Sequence, residues 1–437
     1  MTWELIEADC IETMAEMDEN SVDAIVTDPP YGLGFMGKRW DQPGAFVERK
    51  SNRRAASFES FHGNHNPTDA ADAARTRQSE NQKAQSWHET WAAEALRVLK
   101  PGGYLLAFGG TRTYHRLVCA LEDAGFEIRD CFCWLYGSGF PKSLDVSKAI
   151  DKAAGAGRGV VAKNRNIRTA GFGDNFRDDG WQPPGHASLT APATPDAERW
   201  SGWGTALKPA FEPIVVARKP LSERTVAANV LRWGTGALNI DGCRIEGEPE
   251  TTRFDPSKHV HEGWRMDATG AETAVRASAL PGRWPANVAL DEEAAAMLDV
   301  QSGQRTSGTN ATRTKIGSFL EHGGLGKPGD VQTTYGDSGG ASRFFYCAKA
   351  SRKERGEGNK HPTVKPVALM QWLVRLVTPP GGTVLDPFAG SGSTGIAVLR
   401  EGFNFIGIEK GHEYVEIARE RIGTDAPLFD MEGVGDG

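Results

Sequence analysis

Short apolar runs alternate along the first third of the chain with longer segments in which apolar residues recur at helical spacing. Runs at residues 22–26, 104–108 and 127–135 have the length and composition of buried strands. Between them, residues 86–100 and 113–124 place apolar side chains on one helical face. Because strands and helices alternate, the pattern favours an α/β fold with a doubly wound, mostly parallel sheet.

The same alternation returns near the carboxyl end of the chain, where it is strongest. After a single strand at 212–218, the pattern predicts a helix at 366–377, a strand at 383–385, a helix starting at 395, a strand at 404–408 and a helix at 412–422.

Three polar segments interrupt this alternation, at residues 34–85, 153–204 and 236–340. They have little periodicity, apart from a helical piece near 292–298. Loops of this length are uncommon in a compact domain unless they serve a function or are disordered. We therefore expect an α/β core with long insertions, the first of which forms a mobile loop.

The net charge of −7 disfavours a nucleic-acid partner when it is considered alone. Local charge is compatible with a nucleic-acid partner, because residues 341–375 contain eight basic and two acidic side chains. Such a stretch can contact phosphates while acidic surface elsewhere lowers the isoelectric point. The alternative is a solvated, charged loop.

The six cysteines are scattered, and the closest pair, Cys131 and Cys133, does not have metal-ligand spacing. We expect reduced thiols in a cytoplasmic protein, without a bound metal. The amino terminus does not resemble a signal peptide, and no run approaches the roughly 20 apolar residues of a membrane span.

A stiff turn follows the first predicted buried strand, with the sequence Asp28-Pro29-Pro30-Tyr31. Two consecutive prolines cannot donate ladder hydrogen bonds, so the strand must end there. The turn presents a carboxylate, a proline carbonyl and an aromatic ring. The two acceptors can bind an exocyclic amino group while the ring stacks on a flat base. The alternative is an ordinary turn formed by two prolines.

A glycine-rich segment begins at Asp386, directly after a predicted strand, and leads into a helix. Its spacing, Gly390-x-Gly392-x-x-Gly395, fits the dinucleotide fingerprint, and Glu409 ends the next strand, where a carboxylate can bind ribose hydroxyls. We therefore expect a nucleoside-type cofactor. Asp386 would repel a pyrophosphate and suits the cationic methionine part of S-adenosylmethionine.

Three motifs in a fixed order carry a family resemblance: Asp28–Tyr31, His-Pro-Thr-Val-Lys-Pro at 361–366, and Asp-Pro-Phe-Ala-Gly-Ser-Gly at 386–392. Together they resemble the N6-adenine/N4-cytosine DNA methyltransferases of the permuted β group, in which the catalytic motif precedes the cofactor loop. The resemblance implies the fold of S-adenosylmethionine-dependent methyltransferases, S-adenosyl-L-methionine as the cofactor and double-stranded DNA as the substrate.

The resemblance also implies a division of the chain into five parts. These are the catalytic half of the core at 1–152 with its mobile loop at about 34–85, an insertion at 153–205, a core strand segment at 206–235, a target-recognition region at 236–343 and the cofactor-binding half of the core at 344–437.

Site residues are implied in the same way. Asp28 and the Pro29 carbonyl accept hydrogen bonds from the target amine, Pro30 completes the turn, and Tyr31 stacks on a base flipped from the duplex. The nitrogen attacks the methyl group directly, so no catalytic cysteine is expected. The expected cofactor contacts are Asp9 at the adenine, Glu409 at the ribose, Phe388 in packing, and Thr363, Lys365, Asp386, Gly390, Ser391, Gly392 and Thr394 at the methionine end.

The motifs distinguish less clearly between adenine and cytosine as the target base. Among relatives, aspartate at the first position of the tetrapeptide favours N6 of adenine over N4 of cytosine. Two other classes are an oxidoreductase built on the glycine fingerprint and an inactive DNA-binding protein, but the oxidoreductase leaves Asp28–Tyr31 unexplained. A second copy of the chain and a cognate restriction enzyme stay open as partners.

Overall fold

The computed structural model describes residues 1–32, 70–139, 143–162, 189–247, 282–306, 311–312, 331–332, 337–348 and 364–425. Its strands are β1 (Trp3–Glu7), β2 (Val22–Thr27), β3 (Leu99–Phe108), β4 (Glu127–Leu135), β5 (Val160–Ala162), β6 (Leu189–Thr190), β7 (Phe211–Arg218), β8 (Val288–Asp291), β9 (Arg305–Thr306), β10 (Ala311–Thr312), β11 (Val331–Gln332), β12 (Ser338–Gly339), β13 (Tyr346–Ala348), β14 (Thr383–Asp386) and β15 (Asn404–Glu409).

The helices are α1 (Cys10–Glu16), α2 (Ala70–Val98), α3 (Tyr114–Asp123), α4 (Val146–Ala153), α5 (Pro195–Arg199), α6 (Val226–Trp233), α7 (Glu292–Ser302), α8 (Val367–Val377), α9 (Ser393–Arg400) and α10 (His412–Asp425). Two short 3₁₀ helices lie at Asp241–Cys243 and Ala341–Phe344.

One sheet of nine strands has the order β1-β15-β14-β2-β3-β7-β4-β8-β13. Its neighbouring strands are parallel except around β7, which runs antiparallel to both β3 and β4. Every residue of β2 is buried, as expected for a strand covered on both faces. The predicted α/β class with a mostly parallel sheet is confirmed.

Helices cover both faces of this sheet. One layer contains α8 and α9, and the other contains α1, α2 and α3. On β3, the buried side chain of Leu106 belongs to the first layer and that of Leu105 to the second, because successive side chains of a strand point to opposite faces. The two cores therefore fix the sheet from both sides, which gives the doubly wound architecture.

The chain divides into two compact units, Met1–Gly137 with Phe211–Gly437, and Ser138–Ala210. In the second unit, α4 packs against α5 and β5 pairs antiparallel with β6. The buried carboxylate of Asp151 accepts hydrogen bonds from Arg158 Nη1 at 2.6 Å and Thr194 Oγ1 at 2.8 Å. A buried carboxylate requires such partners, so this unit contains its own buried hydrogen-bond network around Asp151.

Two parts of the fold differ from the sequence-based expectation. Helix α2 begins at Ala70 instead of residue 86, because its first half is built from good helix formers without an apolar stripe. Strand β8 adds to the sheet from within a segment expected to be irregular, and β13 follows it at the edge. Strands of four and three residues are too short to show a period.

Much of the polar sequence lies outside the described residues. This applies to residues 34–69 of the expected mobile loop and to residues 248–281 of the expected target-recognition region. The five-part division of the chain therefore stays a prediction. Among the helices of the described residues, none is long and apolar enough to cross a membrane.

Candidate active site

Two motifs far apart in sequence meet at one edge of the sheet. Strand β14 pairs in parallel with β2, so the carboxyl ends of both strands lie side by side. There the Thr27 hydroxyl donates a hydrogen bond of 2.6 Å to Asp386 Oδ1, across a sequence separation of 359 residues. Both side chains are buried. The tetrapeptide after β2 and the glycine-rich loop after β14 therefore face a common space.

The turn at Asp28 is stabilised by its own side chains. Pro29 is buried and Pro30 is half-buried, so the prolines end β2 against the core. The Tyr31 hydroxyl donates to Asp28 Oδ1 at 2.7 Å. Burial, followed by the nearby carboxylates of Asp28 and Glu212, raises the pKa of Tyr31 well above its ordinary value, which keeps the phenol protonated.

An ammonium group lies against this turn. Lys365 Nζ is 3.1 Å from Asp28 Oδ2, 2.7 Å from Glu212 Oε2 and 3.1 Å from the Tyr31 hydroxyl. Burial alone would lower the pKa of Lys365, but the carboxylates of Asp28 and Glu212 outweigh it and raise the pKa above its ordinary value. The lysine is therefore a permanent cation between two carboxylates.

Lys365 is placed differently from the expectation that it contacts the methionine end of the cofactor. Its ammonium points into the tetrapeptide, because two carboxylates there provide the stronger electrostatic environment. Thr363, expected beside it at the cofactor, lies outside the described residues.

Glu212 was not predicted as a site residue. It lies near the start of β7, and because β7 runs antiparallel to its neighbours, its amino end reaches the sheet edge where β2 and β14 end. The sequence signal was a carboxylate directly before the apolar run at residues 213–217. The direction of β7, which brings this carboxylate to the site, is not visible in the local pattern.

Tight packing explains the glycines of the loop between β14 and α9. Gly390 and Gly392 have φ angles of +53° and +79°, which favour glycine. A Cβ on Gly395 would lie 2.6 Å from Ile422 Cδ1 and 2.7 Å from Phe405 Cε1. Gly395 therefore allows α9 to approach α10 and β15, while the first two glycines shape the turn itself.

Glu409 ends β15 next to this loop. Its carboxylate accepts hydrogen bonds from the backbone N–H of Gly390 at 2.9 Å and of Gly411 at 2.7 Å. Burial raises the pKa of Glu409, although these two N–H groups oppose the shift. A carboxylate accepts about four hydrogen bonds, so this one can also accept from the two hydroxyls of a ribose.

Asp386 lies deeper than the sequence suggested. It is 2% exposed, and its Oδ1 accepts from Thr27 and from the Phe388 backbone N–H at 3.0 Å. Burial is the main cause that raises the pKa of Asp386 to about 6, while hydrogen bonds from Thr27 and Thr394 oppose it. The Asp386 carboxylate therefore stabilises the loop from its buried side and is not exposed at the entrance to the site.

The other predicted cofactor residues surround the same loop. The Asp9 carboxylate follows β1, caps α1 through the Ile11 N–H at 3.0 Å and pairs with Lys410 Nζ at 2.9 Å. Phe388 packs edge-on against Trp91, with ring centroids 5.4 Å apart. The Ser391 hydroxyl accepts a hydrogen bond from Arg421 Nη1 at 2.9 Å. Thr394 is buried.

These residues fit S-adenosylmethionine. The loop offers a glycine backbone at a helix amino end for the methionine part, Glu409 offers acceptors for the ribose, and Asp9 is on the strand next to β15. Among the described residues, no group of three histidine, cysteine, aspartate or glutamate side chains is arranged to bind a metal ion.

The fold and this site define the class of S-adenosylmethionine-dependent methyltransferases. A family model described as DNA methylase matches residues 22–420, and the chain belongs to this family of N6/N4 DNA methylases. It is therefore an S-adenosylmethionine-dependent DNA methyltransferase that modifies adenine N6 or cytosine N4. The oxidoreductase alternative finds no support.

Two curated relatives illustrate the similarity. Type II methyltransferase M.HindIII of Haemophilus influenzae is 24% identical over 426 residues, which cover 96% of this chain and 94% of the relative. Type II methyltransferase M2.DpnII of Streptococcus pneumoniae is 37% identical over 89 residues, which cover 20% of this chain and 33% of the relative.

Similar solved structures include two DNA methylases. TTHA0409 of Thermus thermophilus, complexed with S-adenosyl-L-methionine, is 16% identical with a TM-score of 0.40, and the match covers 98% of this chain and 96% of that chain. The PvuII DNA methyltransferase, described as cytosine-N4-specific, is 15% identical with a TM-score of 0.41, and the match covers 96% of this chain and 86% of that chain.

The buried Asp386 carboxyl predicts a pH dependence of stability. Because its pKa is raised from 3.8 to about 6, the folded protein retains a proton that the unfolded chain releases in this range. The contribution of Asp386 to stability is therefore largest below about pH 4 and falls as the pH rises to about 6.

Thermal midpoints of the wild type and Asp386→Asn, measured from pH 4 to pH 7, test this prediction. The midpoint of the wild type relative to the variant is expected to decrease up to about pH 6 and then to level off. A difference that is constant, or that increases with pH, would show that Asp386 is ionised throughout.

Proposed function

We propose that the protein transfers a methyl group from S-adenosylmethionine to N6 of adenine in double-stranded DNA. The observation that carries this proposal is the placement of the Asp28 carboxylate beside the cofactor loop, joined to it by the hydrogen bond from Thr27 to Asp386. A carboxylate at this position suits an exocyclic amine as the nucleophile, and aspartate at the first position of the tetrapeptide favours N6 of adenine.

Asp28 and the Pro29 carbonyl would accept the two N–H groups of the amine and orient its lone pair. When bound, S-adenosylmethionine supplies a methyl group on a cationic sulfur. Asp28 would hold the amine with its lone pair towards that methyl group and would stabilise the positive charge that develops on the nitrogen. Tyr31 would stack on the flipped base with its ring fixed by the hydrogen bond to Asp28. The residues thus act mainly by positioning.

The cofactor would extend along the ends of β14, β15 and β1. Glu409 would accept from the ribose hydroxyls, and Asp9 would lie at the adenine. Phe388 would pack against the cofactor, and the methionine part would contact Gly390, Ser391, Gly392 and Thr394. Asp386 would shape this loop from within, and Thr363 is proposed from its position in the sequence motif.

The partners are proposed with the function. Residues 236–343 are the expected target-recognition region, and the basic residues at 349–360 of the stretch 341–375 would contact phosphates, since Arg343, Lys365 and Arg375 pair with acidic side chains. One relative that matches 96% of this chain is named a Type II methyltransferase, which supports a cognate restriction enzyme for this chain. A homodimer and a cytoplasmic location stay predictions from the sequence.

Removal of the acceptor carboxylate tests the proposed chemistry. In Asp28→Ala, we expect methyl transfer to fall at least about 100-fold, the usual cost of losing one preorganised hydrogen-bonding group. Binding of S-adenosylmethionine should persist, because the glycine-rich loop is intact. Tritium transfer from labelled cofactor to unmethylated DNA measures the first quantity, and calorimetry measures the second.

Asp18→Ala is the matched control, because Asp18 is exposed and precedes the opposite end of β2. Its transfer rate should equal that of the wild type. If Asp28→Ala transferred methyl groups at a rate near that of the wild type, Asp28 would not be the acceptor of the amine.

The identity of the base is tested separately. After reaction with labelled cofactor, we expect enzymatic hydrolysis of the DNA to release the label as N6-methyl-2′-deoxyadenosine. Label in N4-methylcytosine would instead select the second candidate, since the same acceptors suit either amine. Label in neither nucleoside would overturn the proposed function.

A further inference from the structure

Lys365 has a hydrogen-bond partner for each of its three ammonium protons. The acceptors are Glu212 Oε2 at 2.7 Å, Asp28 Oδ2 at 3.1 Å and the Tyr31 hydroxyl at 3.1 Å. An ammonium group has three donors, so these contacts use its full capacity. The side chain is only 8% exposed, and its Nζ lies 4.7 Å from the centroid of the Phe108 ring. Lys365 is thus a buried and fully coordinated member of the site formed by the tetrapeptide at Asp28–Tyr31.

The members of this cluster come from four segments of the chain. Asp28 and Tyr31 follow β2, Glu212 is near the start of β7, Phe108 ends β3, and Lys365 precedes α8. Their convergence requires the reversed direction of β7.

The charges of the cluster do not cancel. Two carboxylates, Asp28 and Glu212, share one ammonium, which leaves one negative charge in excess. Lys365 contacts both carboxylates, Glu212 at 2.7 Å and Asp28 at 3.1 Å, so its charge is shared between them. The excess negative charge of the cluster therefore lies where the target amine is expected, and its nitrogen becomes positive during attack.

We propose that Glu212 and Lys365 are positioning residues for methyl transfer: Lys365 fixes Asp28 and Tyr31, and Glu212 balances Lys365 so that Asp28 faces the target amine as a carboxylate. This inference rests on the proposed function of Asp28 as the acceptor. It removes Lys365 from the cofactor contacts and adds Glu212 to the site.

Three other titratable groups face the cluster. The Tyr31 hydroxyl lies inside it, Tyr136 follows β4 and interacts with Glu212 and Lys365, and Asp386 interacts with Asp28 from the end of β14. These groups are identical in all proteins of the test below. Burial, the first cause of the raised pKa values of Tyr31 and Tyr136, is common to all four proteins, so both phenols stay protonated below pH 9, and Asp386 keeps the same carboxylate neighbour, Asp28. Differences between the four pH profiles in the acidic range therefore report the Glu212–Lys365 pair.

A charge cycle tests the proposal with Lys365→Met, Glu212→Gln and the double variant. The first change leaves two carboxylates without a cation, the second leaves a balanced Lys365–Asp28 pair, and the double variant restores the excess of one negative charge. The kcat/KM for tritium transfer to unmethylated DNA is measured from about pH 3.5 to about pH 9 for all four proteins, because an ordinary carboxylate titrates near pH 4.

The acid limb is the part of the profile in which kcat/KM falls as the pH decreases. In Lys365→Met we expect it to move to higher pH by about 1–3 pH units, the usual effect of losing an adjacent opposite charge. In Glu212→Gln the limb should move to lower pH, and kcat should fall because Lys365 then competes with the amine for Asp28. In the double variant, the limb should return towards its wild-type position. A purely structural role predicts lower rates at every pH with the limb unmoved.

Cofactor affinity separates this proposal from the alternative role of Lys365. By calorimetry, Lys365→Met is expected to bind S-adenosylmethionine within about threefold of the wild type, a difference below the 1.4 kcal/mol of a tenfold change. A loss of tenfold or more would assign Lys365 to the methionine carboxylate and overturn the proposal.

The remaining outcomes are also decisive. If the wild type transferred no methyl group to DNA, the proposed function itself would fail. If the wild type were active but all four limbs coincided, the role of the pair would be refuted while the function stood. Should Lys365→Met not fold, the near-isosteric Glu212→Gln decides alone: a limb moved to lower pH supports the proposal, and an unmoved limb contradicts it.

Discussion

The parallel pairing of β2 with β14 is the constraint on which the site depends. It places Thr27 next to Asp386 across 359 residues of sequence, and the buried hydrogen bond between them joins the two motifs. An unpaired carboxylate at this depth would be costly, so Asp386 needs these partners. The same contact orients the cofactor loop and ends β2 at the turn that carries Asp28. The proposed cofactor contacts and the proposed acceptor carboxylate thereby lie at one edge of the sheet.

The reversed strand β7 adds the second constraint. Parallel strands bring only their carboxyl ends to the active edge, whereas β7 brings its amino end. Glu212 therefore reaches a place that its position in the sequence does not suggest. Glu212 and Lys365 place fixed charges next to Asp28 and Tyr31, in a mostly buried environment. Such preorganised charges need little rearrangement during a reaction, which is a main source of catalytic power.

Sequence patterns predicted much of the core, because long apolar strands such as β4 and amphipathic helices such as α8 show clear periods. They also identified the loop and the tetrapeptide, whose glycines and prolines have strict backbone requirements. They did not predict β8, which is too short to show a period, or the polar start of α2. The placement of Lys365 and Glu212 was missed because it depends on strand direction and on contacts between distant segments.

The central claim is that the tetrapeptide and the cofactor loop act on one shared space. An analogue that joins the N6 amine of adenosine to the sulfur side of the cofactor by a short linker tests it directly, by calorimetry. If both halves bind together, the analogue should bind about 10²-fold or more tightly than its cofactor half alone, and Asp28→Ala should remove part of this gain. Equal affinities of the analogue and its cofactor half would contradict the claim.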